Sequence, residues 1–156
     1  MAVLTICLEG DKVLKMKAKP VSKMTKNVIK MLDDMAETMY DAQGVGLAAP
    51  QVGHSLRMVV IDAGEGLIEL INPVIIEQEG EETAGEGCLS IPGAYGEVCR
   101  SARVVTEAYD RNGRKFRIGG EGLLARAIQH ELDHLEGILF IEKAENVIRE
   151  EETPSV

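Results

Sequence analysis

The stretch His130-Glu131-Leu132-Asp133-His134 carries the strongest chemical signal in this chain. In a helix, residues four apart stand one above the other, so both imidazoles can reach one metal ion. Glu131 is rotated by about 100° from His130. It therefore flanks such an ion without ligating it easily, which suits a general base acting on water. The blander reading is a pair of solvated surface histidines with a solvated Glu. Against it, the chain has three histidines and two of them fall at ligand spacing around a Glu. Two helical histidines need a third protein ligand. A metzincin-type protease would supply a further His where this chain has Phe140, and a thermolysin-type one would take a Glu from a later helix, for which little chain remains. Neither protease pattern closes its metal site.

Upstream, Glu86-Gly87-Cys88-Leu89-Ser90 offers a thiolate between a flexible Gly and a short extended segment. Cysteine suits zinc or ferrous iron, and Gly87 lets the backbone come close to whatever lies beside the metal. Cys7, in the apolar strand expected at Leu4–Leu8, reads as a buried small hydrophobe. Cys99, between Gly96 and Arg100, reads as part of a plain strand, and His54 after Gly53 as a loop residue. Cys88 is thus the third ligand candidate. Three widely spaced cysteines form a poor disulfide framework and point to a reducing, cytoplasmic location. A third constellation, Gly44-Val45-Gly46-Leu47-Ala48-Ala49-Pro50-Gln51-Val52-Gly53, permits tight backbone approach around one polar side chain, Gln51. It lacks the Lys-Ser/Thr ending of a phosphate loop.

These residues need a frame. A helix is expected over about residues 23–41, where Val28, Met31, Leu32, Met35 and Met39 recur on one face as core packing. Ser22 or Thr25 can cap its start, and Gly44 is placed for a left-handed C-terminal residue. Short β-type runs follow at Arg57–Ile61, Leu67–Ile71, Val74–Ile76 and Arg103–Tyr109. The turn signal Asp110-Arg111-Asn112-Gly113 returns a partner strand at Lys115–Ile118. A second helix at Glu121–Glu136 carries the histidines and stops at Gly137, and a short charged helix is expected at Glu142–Glu150. The class is α+β: mainly antiparallel sheets packed around a central metal-binding helix, with an N-terminal helix and a short C-terminal one. One catalytic domain at 1–149 and a polar tail at 150–156 are expected. The balance of 17 Lys+Arg against 26 Asp+Glu argues against DNA as a ligand, and no apolar run approaches the roughly 20 residues of a membrane span. The N-terminus reads as a strand pattern and not as a signal peptide.

Taken together, GVGLAAPQ at Gly44–Gln51, EGCLS at Glu86–Ser90 and QHELDH at Gln129–His134 resemble, in order, the three motifs of the peptide deformylase family. The resemblance runs over roughly residues 3–143 and takes in DKVLKMKAKPV, similar to the family's N-terminal strand and turn, with Lys12 where Pro is common. It implies that Cys88, His130 and His134 are metal ligands and Glu131 the general acid/base. It implies that Gln51 and the backbone N–H of Leu89 bind the formyl oxygen, and that the Gly46 carbonyl holds the substrate amide. Val45, Glu86, Leu123, Arg126 and Ala127 fall where the family lines its methionine pocket, and Gly87 completes the substrate-binding set. Tyr95 departs from members that carry Arg near the substrate exit. The implied cofactor is one divalent ion, Fe2+ first, with Zn2+, Ni2+ or Co2+ able to substitute. The implied partners are N-formylmethionyl nascent peptides, with room for ribosome association and none for DNA or membrane. The alternative of similar chemistry is a metallo-amidase or peptidase for another N-acylated substrate. A structural metal would need a fourth protein ligand, and none is evident.

Overall fold

Thr25 opens the first helix, α1 (Lys26–Asp41), its Oγ1 accepting the Val28 N–H at 3.2 Å. Leu32, Met35 and Met39 are fully buried on one face, with Val28 and Met31 packed at the margin, so the methionine stripe is core. The computed structural model describes residues 2–150; of the expected tail only Glu150 lies within that range.

Two antiparallel sheets make up the β structure. The larger has the order β1-β2-β3-β6-β7, from β1 (Gly46–Ala48), β2 (Met58–Ile61), β3 (Ile68–Glu79), β6 (Arg103–Tyr109) and β7 (Lys115–Glu121). The smaller has the order β4-β5-β8, from β4 (Glu82–Cys88), β5 (Ile91–Arg100) and β8 (Glu145–Arg149). The two runs expected at Leu67–Ile71 and Val74–Ile76 are one strand, β3, with a register shift between Ile71 and Val74. Asn72, at φ 51°, and Pro73 make that irregularity. The Asn72 side chain accepts the Val21 N–H and donates to the Val21 carbonyl, which fixes the bulge.

The second helix, α2 (Gly122–Leu135), packs against the larger sheet and carries the motif histidines. Ala125, Ile128 and Leu135 turn toward Ala48, Val59, Ile61 and Leu70. The class and the two long helices are as the pattern implies. The α+β frame does hold a central helix among antiparallel strands.

Three local expectations are overturned. The charged helix expected at Glu142–Glu150 is a 3-10 turn, Phe140–Glu142, followed by β8. Asn146, at φ 54°, interrupts helical continuation there, and Ile148 and Arg149 pair with Tyr95 and Ala94. Residues 4–8 form no strand, and the N-terminal segment then makes a 3-10 turn at Lys12–Lys15. Gly44 is not the left-handed residue after α1: Gln43 is, at φ 57°. Gly44 is small for another reason, because a Cβ there would lie 2.7 Å from Leu89 Cδ1.

Gly137 ends α2 at φ 74°, and a Cβ there would stand 2.6 Å from the Lys15 carbonyl oxygen. Gly113, at φ 77°, faces open space. Gly113→Ala should therefore cost about 1 kcal/mol, the backbone cost alone. Gly137→Ala adds a backbone collision and should cost about 2–4 kcal/mol. Urea midpoints measure both, and equal losses would contradict the packing given for Gly137.

Candidate active site

Between the edge strands β1 and β4, with α2 as its floor, lies a cavity of about 230 Å³. Every site residue expected from the sequence lines it except His134, which is buried just behind. Gly46 stands on β1 and Gln51 in the 3-10 turn Ala49–Val52 that follows; Val45 precedes the strand. Glu86, Gly87 and Cys88 end β4, and Leu89 begins the turn to β5. Leu123, Arg126, Ala127, His130 and Glu131 come from successive turns of α2. Leu123 is exposed at the mouth, whereas His130, Glu131 and His134 are buried.

Cys88, His130 and His134 form a group that could hold a metal ion: one atom from each lies within 4.8 Å of the others. The helical spacing brings the imidazole centroids to 5.1 Å, and Cys88 Sγ reaches His134 Nε2 at 3.3 Å. Phe140, at the position where a metzincin would place its third His, is buried and lies face to face with His130 at 6.0 Å.

His130 Nδ1 is engaged by Glu86 Oε1 at 2.9 Å, which leaves Nε2 to face the Cys88 side. Burial would lower the His130 pKa, but hydrogen bonding to Cys88 and Glu86 outweighs it and raises the ring to about 10. Burial and the charge on His130 push His134 well down. One thiol sulfur and two buried imidazoles converge here, with donor atoms within 4.8 Å of one another. Sulfur and imidazole nitrogen are donors that suit a divalent ion such as zinc or iron, so the donor set fits a metal.

Glu86 is the most heavily bonded side chain in the site. Arg100 grips it with two hydrogen bonds of 2.8 Å, and Arg126 Nη1 adds a third at 2.6 Å. Burial would raise its carboxyl, but the hydrogen bonds from Arg100 and His130 hold it well below the ordinary carboxylate range. Arg100 is itself anchored by Asp133 Oδ2 at 2.7 Å, and Lys143 reaches the same oxygen at 3.0 Å. Arg126 also donates to the Val98 and Glu82 carbonyls. Glu86 and Arg126, expected as pocket wall, thus line the cavity while their charged ends are turned to one another.

Glu131 has the opposite environment. Burial raises its carboxyl to about 7, with the charges of His130 and Arg100 opposing and that of Glu86 adding to the rise. Its Oε1 is buried without a hydrogen-bond partner among the described residues. A Cβ on Gly46 would lie 2.6 Å from Glu131 Oε2, so the carboxylate sits hard against the β1 wall. Gln51 is buried too; its Oε1 accepts the Ala48 N–H at 2.9 Å, and its Nε2 points to Ser90 Oγ at 3.1 Å and Cys88 Sγ at 3.6 Å. Tyr95 stands exposed on β5, its ring 3.2 Å from where a Gly87 Cβ would be. His54 is an exposed turn residue and Cys99 an exposed strand residue, both away from the cavity.

Arg100, Asp133 and Ser90 went unread in the sequence as site residues. Arg100 is a lone basic residue near the end of a β run, with no local spacing to mark it. Asp133 lies inside the metal motif, and an acid on a helix carrying Arg126 is the one hint of ion pairing. Removing Arg100 leaves buried carboxylates short of partners. Arg100→Met should cost about 3–5 kcal/mol, whereas Arg103→Met, which loses only exposed pairs at 3.8 Å, should cost under about 1 kcal/mol. Urea unfolding of the two variants measures the difference, and similar losses would contradict the weight given to the buried cluster.

A family model described as polypeptide deformylase matches residues 3–150. The chain is 59% identical to a peptide deformylase of Desulfitobacterium hafniense over 149 residues, covering 96% of this chain and 99% of that one. It is 58% identical to a peptide deformylase of Carboxydothermus hydrogenoformans over 149 residues, 96% of this chain and 98% of the other. The crystal structure of peptide deformylase from Thermotoga maritima superposes with a TM-score of 0.91 at 44% identity, covering 93% of this chain and 99% of that one. Matches of this extent, on a fold whose cavity gathers a Cys/His/His group beside a buried Glu, place the chain in the peptide deformylase family, metal-dependent hydrolases that remove the N-formyl group from newly made polypeptides.

Proposed function

We propose that Cys88, His130 and His134 hold one divalent ion and that Glu131 moves the protons of the deformylation reaction. The observation that carries this reading is the buried Glu131 carboxylate, its Oε1 unpartnered among the described residues, beside the donor set and against the β1 wall. When bound, the ion supplies Lewis acidity, which makes water nucleophilic near neutral pH. Glu131 takes a proton from the attacking water as its oxygen bonds to the formyl carbon. The developing negative charge on the formyl oxygen falls between the Gln51 amide and the Leu89 N–H, and one such donor is typically worth about 3 kcal/mol. As the C–N bond breaks, Glu131 returns the proton to the leaving amine, giving formate and a free methionine N-terminus. The Gly46 carbonyl accepts the substrate amide. Val45, Leu123 and Ala127 supply the apolar lining for the methionine side chain, with Glu86, Gly87 and Arg126 closing the pocket.

Ferrous iron is the ion this reading favours. The Cys88 thiolate and the two imidazoles would suit Fe2+, and nickel or cobalt should substitute. A cytoplasmic location and contact with the ribosome follow from a substrate that is a nascent chain. Among the described residues no helix is long and apolar enough to cross a membrane. Residues 1–149 are read as one catalytic unit.

Formate release from formyl-Met-peptide should exceed acetate release from acetyl-Met-peptide by at least about 100-fold, because the glycine wall and Gln51 leave little room for a methyl. In the same assay Glu131→Gln should lower kcat by about 10²–10⁴-fold at unchanged metal content, while His130→Ala should lose the metal. Comparable rates on the two peptides would favour a broader amidase, and metal loss in Glu131→Gln would contradict the role of Glu131. Preparation in air should inactivate the iron enzyme and add oxygen to Cys88, seen by mass spectrometry, while the nickel form stays active. Full, air-stable activity with zinc alone would rule out the choice of iron.

A further inference from the structure

We infer that Ser90 is a positioning residue for Gln51, fixing the plane of its amide so that one N–H faces the reacting oxygen. The inference rests on the role given to Gln51 above. The Ala48 N–H can only donate, so it binds Gln51 Oε1 and forces the NH2 end toward Ser90 and Cys88. With the oxygen end alone held, the amide plane can still swing about the side-chain torsions. Ser90 Oγ supplies the second fixed point at 3.1 Å and engages one of the two amide hydrogens. The other hydrogen is left to the Cys88 side of the cavity, where Nε2 lies 3.6 Å from Sγ. Ser90 is itself wholly buried.

The backbone around this pair is braced from one side by a single segment. The Cys7 N–H donates to the Gln51 carbonyl at 2.6 Å, and the Glu9 N–H donates to the Ser90 carbonyl at 2.8 Å. Glu9 opens the turn that the Asp11 N–H closes on the Leu8 carbonyl at 2.9 Å. The N-terminal segment bridges a turn of the larger sheet to a turn of the smaller one. Arg149 on β8 holds Glu9 at 3.0 Å. Gln51 and Ser90 lie in turns beside different sheets, and the two backbone bonds from that segment help to hold their spacing.

The test is a double-mutant cycle on metal-loaded enzyme with formyl-Met-peptide. Ser90→Ala should lower kcat about 10-fold with KM within about 2-fold, a small misplacement of a donor whose complete loss costs about 10²–10³-fold. In a Gln51→Ala background the same Ser90→Ala change should alter kcat by less than about 2-fold, because the group it positions is gone. Metal content and Tm are recorded for each variant. Ser90→Cys, which keeps a weak acceptor, should fall between Ser and Ala. If Ser90→Ala does not fold, Ser90→Cys in the two backgrounds reads the same coupling. Equal losses in both backgrounds, or a change in KM alone, would overturn the positioning role while leaving Gln51 in place. A Gln51→Ala enzyme with undiminished kcat would remove the role of Gln51 and this inference with it.

Discussion

Glu86 is a carboxylate taken almost wholly out of water, and three elements are tied together through it. It sits on β4, its bidentate partner Arg100 on β5, and Arg126, His130 and Asp133 on α2. Removing ions from water costs several kcal/mol each, and mutual attraction returns that only when the geometry is good and the remaining hydrogen-bonding capacity is filled. Here both Glu86 oxygens are saturated and Arg126 finds two backbone carbonyls besides. Such a cluster contributes little net stability over an apolar one of the same shape. What it contributes is register: the smaller sheet can dock on α2 in one way only. That docking brings Cys88, two residues along β4, to His130 and His134.

The cavity follows from the same docking. Each sheet presents an edge strand to it, β1 on one side and β4 on the other. Two edges can stand this close only where side chains are missing. Gly44 admits Leu89, and Gly46 admits the Glu131 carboxylate. The glycines of the first motif thus serve contacts across the cavity as much as the turn they make. A methyl group on Gly46 would press on the Glu131 carboxylate from α2, and one on Gly44 on the Leu89 side chain.

This explains what could be read from the chain beforehand. His130, Glu131 and His134 were legible because one helix sets their geometry and a three-to-four residue period is written locally. The methionine face of α1 and the Asp110–Gly113 hairpin were legible for the same reason. Cys88 could be singled out by chemistry, but its approach to the histidines depends on strand pairing across the chain. Arg100 and Ser90 were hidden because their partners lie far away in sequence, Glu86 and Asp133 for the first, Gln51 for the second. The β4–β5 hairpin was largely hidden as well, since its glycines at 85, 87, 93 and 96 dilute the alternation that marks a strand. The C-terminal error had a different origin: residues 142–150 are rich in charge and read as helix, yet pairing with β5 and the left-handed Asn146 decided otherwise.

The two acids of the site show how one frame produces two behaviours. Glu86 and Glu131 are both buried, and burial pushes both carboxyls upward. For Glu86 hydrogen bonds from Arg100 and His130 reverse the shift, so it stays charged and spends that charge orienting the His130 ring. Among the described residues Glu131 receives no such bond at Oε1, and the charge of Glu86 raises it further. A carboxylate saturated with donors is a poor carrier of protons, because protonation must break several strong hydrogen bonds. One that is desolvated and unpartnered near neutrality changes state at little cost. Environments that drive two neighbouring acids apart in this way are what the proposed division into fixed charge and proton carrier rests on. The Arg100 grip keeps Glu86 charged, and that charge adds to the rise of Glu131 while the charge of Arg100 itself opposes it.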